Sequence, residues 1–267
     1  IQIYPMFENA LRAHLGETIT DHNERVSELW AMFSAEAEKN PDAWISEAKT
    51  KTEISSAGPS NRMVSFPYPK LMNSNNSVDM SAAIILCSLK KAKSLGIDQS
   101  KWVFPWVGTE ANDKHFVSER ENLYSSPAIR IAGRRAMELA GLSPDEIDLV
   151  DLYSCFPSAV QIAARELGFS LDRPLTVTGG LTFGGGPLNN YVMHSISRMV
   201  TLLREDRNKK GLITANGGFL TKHSFGIYSA TPPIRDFQYE NLQAEVDKMP
   251  TREMAAYYEG PATLESY

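Results

Sequence analysis

A glycine-rich stretch constrains the fold of this chain most strongly. Residues 178–191 read Thr-Gly-Gly-Leu-Thr-Phe-Gly-Gly-Gly-Pro-Leu-Asn-Asn-Tyr, with five glycines in eight consecutive positions. Leu175 and Val177 precede it, and residues at helical spacing follow Tyr191, so the pattern predicts a strand, a loop and a helix. Glycine lets backbone approach a neighbour closely, so we expect this loop to contact a ligand. A purely structural turn is the alternative, and neither common glycine-rich phosphate motif is present.

Four segments before this loop follow one another in an informative order. Residues 127–141 read as a helix that ends in glycine, 142–148 as a turn and 149–156 as a strand, and a second helix runs to Leu167-Gly168. This order, together with the glycine loop, resembles the C-terminal half of the thiolase superfamily over residues 60 to 230. The resemblance implies an α/β thiolase-like fold, with a mixed sheet and helices on both faces.

The chain departs from the thiolase motifs at three places. Tyr153-Ser-Cys-Phe stands where thiolases carry Asn-Glu-Ala-Phe or His-Asp-Cys-Phe. Gly186 replaces the histidine of the Gly-His-Pro motif, and Asn216 lies at or next to the cysteine of the Cys-x-Gly motif. The resemblance therefore implies a diverged catalytic set, because two groups that thiolases use in Claisen chemistry are missing.

The resemblance also points to individual site residues. His223 lies between the last two predicted strands, in a loop that forms one wall of the thiolase active site, so it is a candidate to replace the lost histidine; a surface-loop histidine is the alternative. The implied catalytic residues are Tyr153, Asn216 and His223. The implied substrate and coenzyme A-binding residues are Asn73, Asn75, Ser77, Gly185, Gly186, Pro187, Asn189 and Gly218.

Three functions are compatible with these motifs. The first is an acyl-CoA enzyme of acetyl-CoA acetyltransferase type, in lipid or sterol acyl-CoA metabolism, with a coenzyme A thioester as substrate and no tightly bound cofactor. The second is a retro-aldol lyase on a β-hydroxyacyl-CoA, which needs acid/base groups and enolate stabilisation without a covalent acyl-enzyme. The third is a non-catalytic module that binds coenzyme A or lipid.

Composition limits the classes of partner that the chain can bind. With 42% hydrophobic residues, 22% charged residues and a net charge of −5, the chain can bury a core and offers no basic surface for nucleic acid or anionic membrane. No apolar run approaches the ~20 residues of a membrane span, and no metal-ligand motif is present. Cys87 and Cys155 both lie in apolar, strand-like runs, which predicts buried reduced thiols in a cytoplasmic protein.

The segments suggest that the chain is part of a larger assembly. It begins with Ile1 in a run similar to the thiolase loop domain, and we expect an N-terminal half or second chain to supply any nucleophile. A homodimer or a small OB-fold or zinc-ribbon protein is a further possible partner. The expected parts are a helical loop-domain part (1–70), the last strand and helix of the N-terminal half (71–98), the C-terminal half (99–231) and a linker or C-terminal extension (232–267).

Overall fold

A five-stranded mixed sheet organises residues 3–267, which are the residues that the computed structural model describes. The strands are β1 (Met63–Ser65), β2 (Tyr68–Pro69), β3 (Phe104–Asn112), β4 (Leu149–Asp151), β5 (Lys210–Gly217), β6 (Lys222–Ser229) and β7 (Gln238–Asn241). The order in the large sheet is β4-β5-β6-β3-β7. The outer pairs β4–β5 and β3–β7 are parallel, whereas β6 is antiparallel to β5 and to β3. The predicted α/β class with a mixed sheet is confirmed.

Nine helices surround this sheet in the described part of the chain. They are α1 (Ile3–Leu15), α2 (Ile19–Glu38), α3 (Lys51–Ser55), α4 (Leu89–Ser94), α5 (Arg134–Ala140), α6 (Pro157–Leu167), α7 (Gly180–Phe183), α8 (Tyr191–Glu205) and α9 (Gln243–Val246). A π-helical turn leads directly into α5. Between residues 3 and 267, no helix is both long enough and apolar enough to cross a bilayer.

Local sequence features account for the positions of α2 and α6. Val26, Leu29 and Trp30 recur at helical spacing and are buried on one face of α2, as the apolar periodicity predicts. Helix α6 begins with proline at its first position and ends at Gly168, whose φ of 84° lies in the left-handed region. These helices belong to the larger of two buried apolar clusters. The smaller cluster lies between α8 and the sheet.

The apolar run at residues 81–88 predicts a buried strand, and this prediction is wrong. The segment forms no strand, and Ile85 and Leu86 are 94% and 80% exposed. A strand needs a neighbour to satisfy its backbone groups and cover its side chains, and no described strand pairs with this segment. Apolar composition alone therefore did not fix its structure. Cys87 is consequently exposed, contrary to the expected buried thiol.

Three other predicted elements differ from the structure. Strand β4 ends at Asp151 instead of residue 156, and the residues before the glycine loop form no strand, with one backbone bond from Leu152 N to Leu175 O of 2.9 Å. Residues 239–248 have a helix-like sequence, and residues 243–246 do form α9, but residues 239–241 lie in β7. Tyr239 pairs there with Gly108 of β3, because an open sheet edge satisfies the backbone of this polar segment.

Candidate functional site

A buried carboxylate fixes the start of the glycine-rich loop. Asp151, at the end of β4, is fully buried and accepts hydrogen bonds from Val177 N (2.9 Å) and Thr176 Oγ1 (2.9 Å). It also accepts bonds from Tyr191 Oη (3.0 Å) and Ser195 Oγ (2.7 Å) of α8. Burial raises the pKa of Asp151, while these four donors oppose that effect. The carboxylate thus joins β4, the loop and α8 at one point.

The glycines of the loop make room for protein atoms. Gly179, Gly180 and Gly185 have φ of 95°, 72° and 105°, a region that other residues rarely adopt. A Cβ on Gly179 would lie 2.3 Å from Cβ of Ala37 in α2, and one on Gly185 would lie 2.5 Å from Sδ of Met80. At Gly179 and Gly185, the backbone therefore lies close to other protein atoms. This is the role of a structural turn, the alternative to contact with a ligand.

The segment around Asn75 runs alongside the glycine loop. Asn75 N donates to Leu181 O (3.0 Å), and Gly186 N donates to Asn75 O (3.0 Å). One residue earlier, Ser74 N donates to Cys155 O (3.1 Å), directly after β4. The structure therefore brings together two predicted coenzyme A-binding segments that are about a hundred residues apart in sequence.

The remaining predicted binding residues occupy several surroundings. Asn73 donates from Nδ2 to Pro69 O (2.7 Å), and its buried Oδ1 has no hydrogen-bond partner in the described residues. Ser77 and Asn189 are exposed, whereas Pro187 is half-buried. Gly218, with φ of 67°, lies in the turn between β5 and β6.

Several predicted site residues surround one cavity at the end of β5. Tyr153, Asn189 and Asn216 line this space of about 270 Å³, together with Tyr191 and Lys222. Its walls come from the segment after β4, the start of α8 and the β5–β6 hairpin. The sheet therefore positions residues from three separate segments around one cavity, at the edge where α/β sheets commonly bind ligands.

His223 and Asn216 are cross-strand partners at this edge. Their Cα atoms pair between β5 and β6, so the side chains lie on the same face of the sheet. Asn216 Oδ1 and His223 Nε2 are both buried without a hydrogen-bond partner among residues 3–267. Such atoms are rare in native proteins and are usually satisfied by water or a ligand. Both side chains line a small space on one face of the hairpin, and only Asn216 also lines the 270 Å³ cavity.

Asp113 lies behind His223 and was missed as a site residue. Its Oδ2 is 3.6 Å from His223 Nε2 and bonds Ser126 Oγ, while Oδ1 accepts from Ala128 N (3.1 Å). From the sequence, residues 112–120 suggested a solvated loop, yet Asp113 is 7% exposed. The pairing of β3 with β6 places it beside His223, and no local motif signals that contact.

The reactive groups of the site are held protonated. Cys155 is buried, and burial raises the pKa of its thiol to about 12. Burial also raises the pKa of the Tyr153 phenol, and the neighbouring Cys155 raises it further. Asn216 Nδ2 donates to Tyr4 Oη (3.2 Å) and lies 3.8 Å from Cys155 Sγ. Near neutral pH, Tyr153 is therefore a hydrogen-bond donor rather than a base, and Cys155 is not a thiolate.

The described residues show no metal centre. Between residues 3 and 267, no group of three or more His, Cys, Asp or Glu side chains is arranged to hold a metal ion. Tyr153 and Asn216 line the cavity and can form hydrogen bonds there, whereas His223 does not line it.

Comparisons with known proteins concern the family and the fold of this chain. A family model described as "Thiolase C-terminal domain-like" matches residues 109–174. A solved structure, described as a monomeric SCP2-thiolase like protein type 1 from Mycobacterium smegmatis, is 35% identical with a TM-score of 0.88 and covers 99% of this chain and 58% of that one. The chain belongs to the thiolase superfamily.

Other thiolase relatives are more distant. An acetyl-CoA acetyltransferase of Methanothermobacter thermautotrophicus is 24% identical over 85% of this chain and 61% of that protein. The corresponding enzyme of Methanocaldococcus jannaschii is 23% identical over 68% of this chain and 50% of that protein. A structure described as "Ltp2-ChsH2(DUF35) aldolase" shares the fold, with 19% identity, a TM-score of 0.64 and coverage of 85% of this chain and 63% of that one. The chain thus spans about half to two thirds of the length of these proteins.

Proposed function

We propose that this chain forms the thioester-binding part of an acyl-CoA enzyme of acetyl-CoA acetyltransferase type, acting in lipid or sterol acyl-CoA metabolism. The observation that supports this function best is the cavity lined by Tyr153, Asn189 and Asn216. The substrate is a coenzyme A thioester, and no tightly bound cofactor is required. Asn73, Asn75 and the glycine loop would contact the amide-rich arm of coenzyme A.

Hydrogen-bond donors are the contribution of this chain to the reaction. The Tyr153 phenol stays protonated because burial raises its pKa, so it donates to the thioester carbonyl. Charge develops on that oxygen when an enolate or tetrahedral intermediate forms, and a fixed donor stabilises it more than the ground state. His223, held beside Asp113, is a second group at this edge. Removing one such donor typically costs about 10²-fold or more in kcat.

Acyl transfer also needs a nucleophile, which we place in an N-terminal thiolase half or a second chain. Cys155 does not supply it, because its thiol pKa is about 12.

An apolar groove of about 440 Å³ supports the proposed association with an N-terminal half or a second chain. Val192 and Ile196 of α8, Ile213 of β5 and Tyr228 of β6 are among its lining residues. Large exposed apolar surfaces of this kind commonly mark protein interfaces.

Retro-aldol cleavage of a β-hydroxyacyl-CoA is the second candidate. It is favoured by the protonated state of Cys155 and by Gly186 at the position of the thiolase histidine, because this reaction needs no thiolate. In the lyase reaction, Tyr153 stabilises the enolate and is not the base, since its pKa is raised.

A small OB-fold or zinc-ribbon protein, or a second copy of the chain, is the proposed protein partner. Binding of coenzyme A or lipid without turnover is the remaining alternative.

The test substitutes Tyr153 in the chain assembled with its N-terminal half. Acetoacetyl-CoA thiolysis and β-hydroxyacyl-CoA cleavage are measured on the same preparation. We expect Tyr153→Phe to lower kcat of the physiological reaction by about 10²-fold while the Kd for coenzyme A changes less than about twofold. The reaction that depends on Tyr153 identifies the activity.

Tyr239→Phe is the matched control. Tyr239 lies in β7, is 57% exposed and donates to Glu110 Oε1 (2.6 Å), outside the cavity. This variant should keep both kcat and coenzyme A affinity. Turnover that is the same in Tyr153→Phe and in the wild type would contradict the donor role. Coenzyme A binding with neither reaction would favour the non-catalytic alternative.

A further inference from the structure

A further cavity of the described residues lies apart from the proposed catalytic site. It has a volume of about 450 Å³ and is bounded by the loop after β3 and by residues 243–251. The C-terminal segment is fixed over this loop, because Thr251 forms a bridge with Arg120 and Arg252 N donates to Glu119 O (2.9 Å). Enclosed spaces of about 300–1,000 Å³ are typical of small-molecule sites.

Arg120 places a buried positive charge in the lining of this cavity. The residue is 6% exposed and lines the cavity. Its Nη2 donates to Thr221 Oγ1 (2.9 Å) and Lys114 O (3.2 Å), while Nη1 is buried with no hydrogen-bond partner in the described residues. Among residues 3–267, no carboxylate lies within ion-pair distance of its guanidinium. A buried cation without an anionic partner is costly.

The acidic residues of the cavity do not supply that partner. Burial lowers the pKa of Arg120, and Asp113 is near enough for its charge to raise that pKa, but the two side chains form no ion pair. The oxygens of Asp113 accept hydrogen bonds from Ser126 Oγ and Ala128 N. Asp247 Oδ1 accepts from Gln243 Nε2 (3.0 Å). The third acidic residue of the lining, Glu121, is exposed and forms no ion pair within residues 3–267. No carboxylate of the lining therefore pairs with Arg120.

Two cationic residues of the lining form no ion pair in the described chain. Arg130 is paired with Glu166 at 3.1 Å, but Lys114 has no ion pair in the described chain and lines the same cavity as Arg120. Apolar surface is present as well, because Val246, Met249 and Pro250 belong to the lining. The lining thus holds two cations without ion pairs, buried Arg120 and half-buried Lys114, and two exposed carboxylates without ion pairs, Glu121 and Asp247, beside an apolar wall from the C-terminal segment.

We propose that this cavity binds a small organic anion, a carboxylate or a phosphate monoester. The charged end pairs with Arg120 and Lys114, and the apolar body lies against Val246 and Pro250. Arginine suits such a ligand because its planar donors match the oxygens of carboxylate and phosphate. The site is separate from the proposed thioester cavity, since the two share no lining residue.

Calorimetry and thermal unfolding of the chain test this site with two probes. Inorganic phosphate and butyrate are each titrated at constant ionic strength, with chloride as the reference anion. We expect at least one probe to bind and to raise Tm, since a ligand of the folded state stabilises it. Arg120→Met should weaken that binding by about tenfold or more, because a charge-assisted hydrogen bond is lost.

Two further variants keep the test decisive. Lys114→Gln removes a half-buried cation that forms no ion pair in the described chain, so it tests the site even if Arg120→Met fails to fold. Arg62→Met is the matched control, because Arg62 is exposed and outside the cavity. Weaker binding in Lys114→Gln with unchanged binding in Arg62→Met supports the proposal. No binding of either probe, unchanged binding in Lys114→Gln, or equal weakening in Arg62→Met overturns it.

Discussion

At the scale of single residues, buried charge is concentrated where α1 meets α2. The His22 ring lies between two carboxylates, with Nε2 2.6 Å from Glu8 Oε1 and Nδ1 2.6 Å from Glu17 Oε2. Glu8 also accepts hydrogen bonds from Tyr68 Oη (2.5 Å) and Gln161 Nε2 (2.7 Å). The polar atoms of this network are therefore satisfied within the protein, in contrast to those of Asn216 and His223. That contrast separates a structural cluster from a candidate binding site.

Glu17 makes stability depend on pH. Hydrogen bonds from Arg25 lower its pKa from the ordinary 4.5 to about 2, and His22 contributes to the same shift. A carboxyl with a lowered pKa stabilises the fold above its unfolded pKa, and that contribution disappears as pH falls from about 4.5 through 2. We therefore expect Glu17→Gln to have a lower Tm than the wild type at pH 6, with the difference closing towards pH 2.

Circular dichroism melts between pH 2 and 6 measure this effect. Glu28→Gln is the control, because Glu28 is an exposed glutamate of α2, the helix that begins just after Glu17. Its Tm should follow that of the wild type at every pH. A Tm difference for Glu17→Gln that stays constant across this range would show that Glu17 acts through something other than its charge.

At the scale of elements, the glycine loop is an anchor between the sheet and α2. Thr176 Oγ1 accepts from Gly179 N (3.1 Å) and Gly180 N (3.0 Å), so the threonine hydroxyl satisfies backbone donors at the start of α7. The same hydroxyl donates to Asp151 (2.9 Å). The loop is thus held by side chains on one side and packs on Ala37 on the other.

Replacement of Gly179 should destabilise the fold strongly. Alanine would be strained at φ 95°, and its Cβ would lie 2.3 Å from that of Ala37. We expect Gly179→Ala to lower the free energy of unfolding by about 2 kcal/mol or more, since strain and overpacking add. Urea denaturation monitored by tryptophan fluorescence measures the loss.

Gly58→Ala is the matched control for this substitution. A Cβ at Gly58 would meet no atom within 4 Å, and its φ lies outside the left-handed region. Its effect should stay within about 0.5 kcal/mol. Equal stability of Gly179→Ala and Gly58→Ala would mean that α2 and the loop move apart easily, contrary to the packing described.

At the scale of the whole molecule, one face of the sheet and α8 present an open apolar groove. If an N-terminal thiolase half completes the site there, the chain alone should not bind coenzyme A at micromolar concentration, whereas the assembled protein should. Ile196→Asp should prevent assembly, because a charge in a buried apolar contact is costly. Calorimetry measures the binding of coenzyme A, and size-exclusion chromatography measures the assembly of the Ile196→Asp variant.

Thr201→Asp is the control for assembly. Thr201 is exposed on α8 and does not line the groove, so this variant should assemble normally. Micromolar binding of coenzyme A by the chain alone would contradict the need for a second half. Normal assembly of Ile196→Asp would show that another surface is used.

The sequence by itself determined the main helices and the family. Apolar periodicity predicted α2, and Leu167-Gly168 marked the end of α6, because caps and periodicity act within a few residues. The order of motifs from residue 127 to 191 was enough to indicate a thiolase-like fold. The grouping of Tyr153 with Asn216 followed from that resemblance, and their catalytic roles stay predictions.

Only the tertiary structure decided the features that depend on distant partners. The apolar run at 81–88 is not a strand, because no described strand pairs with it. The glycines at 179 and 185 serve contacts with Ala37 and Met80, which the spacing within the loop does not reveal. Asp113 reaches His223 through the pairing of β3 with β6. In each case the outcome depends on long-range packing, whereas sequence patterns record the preferences of neighbouring residues.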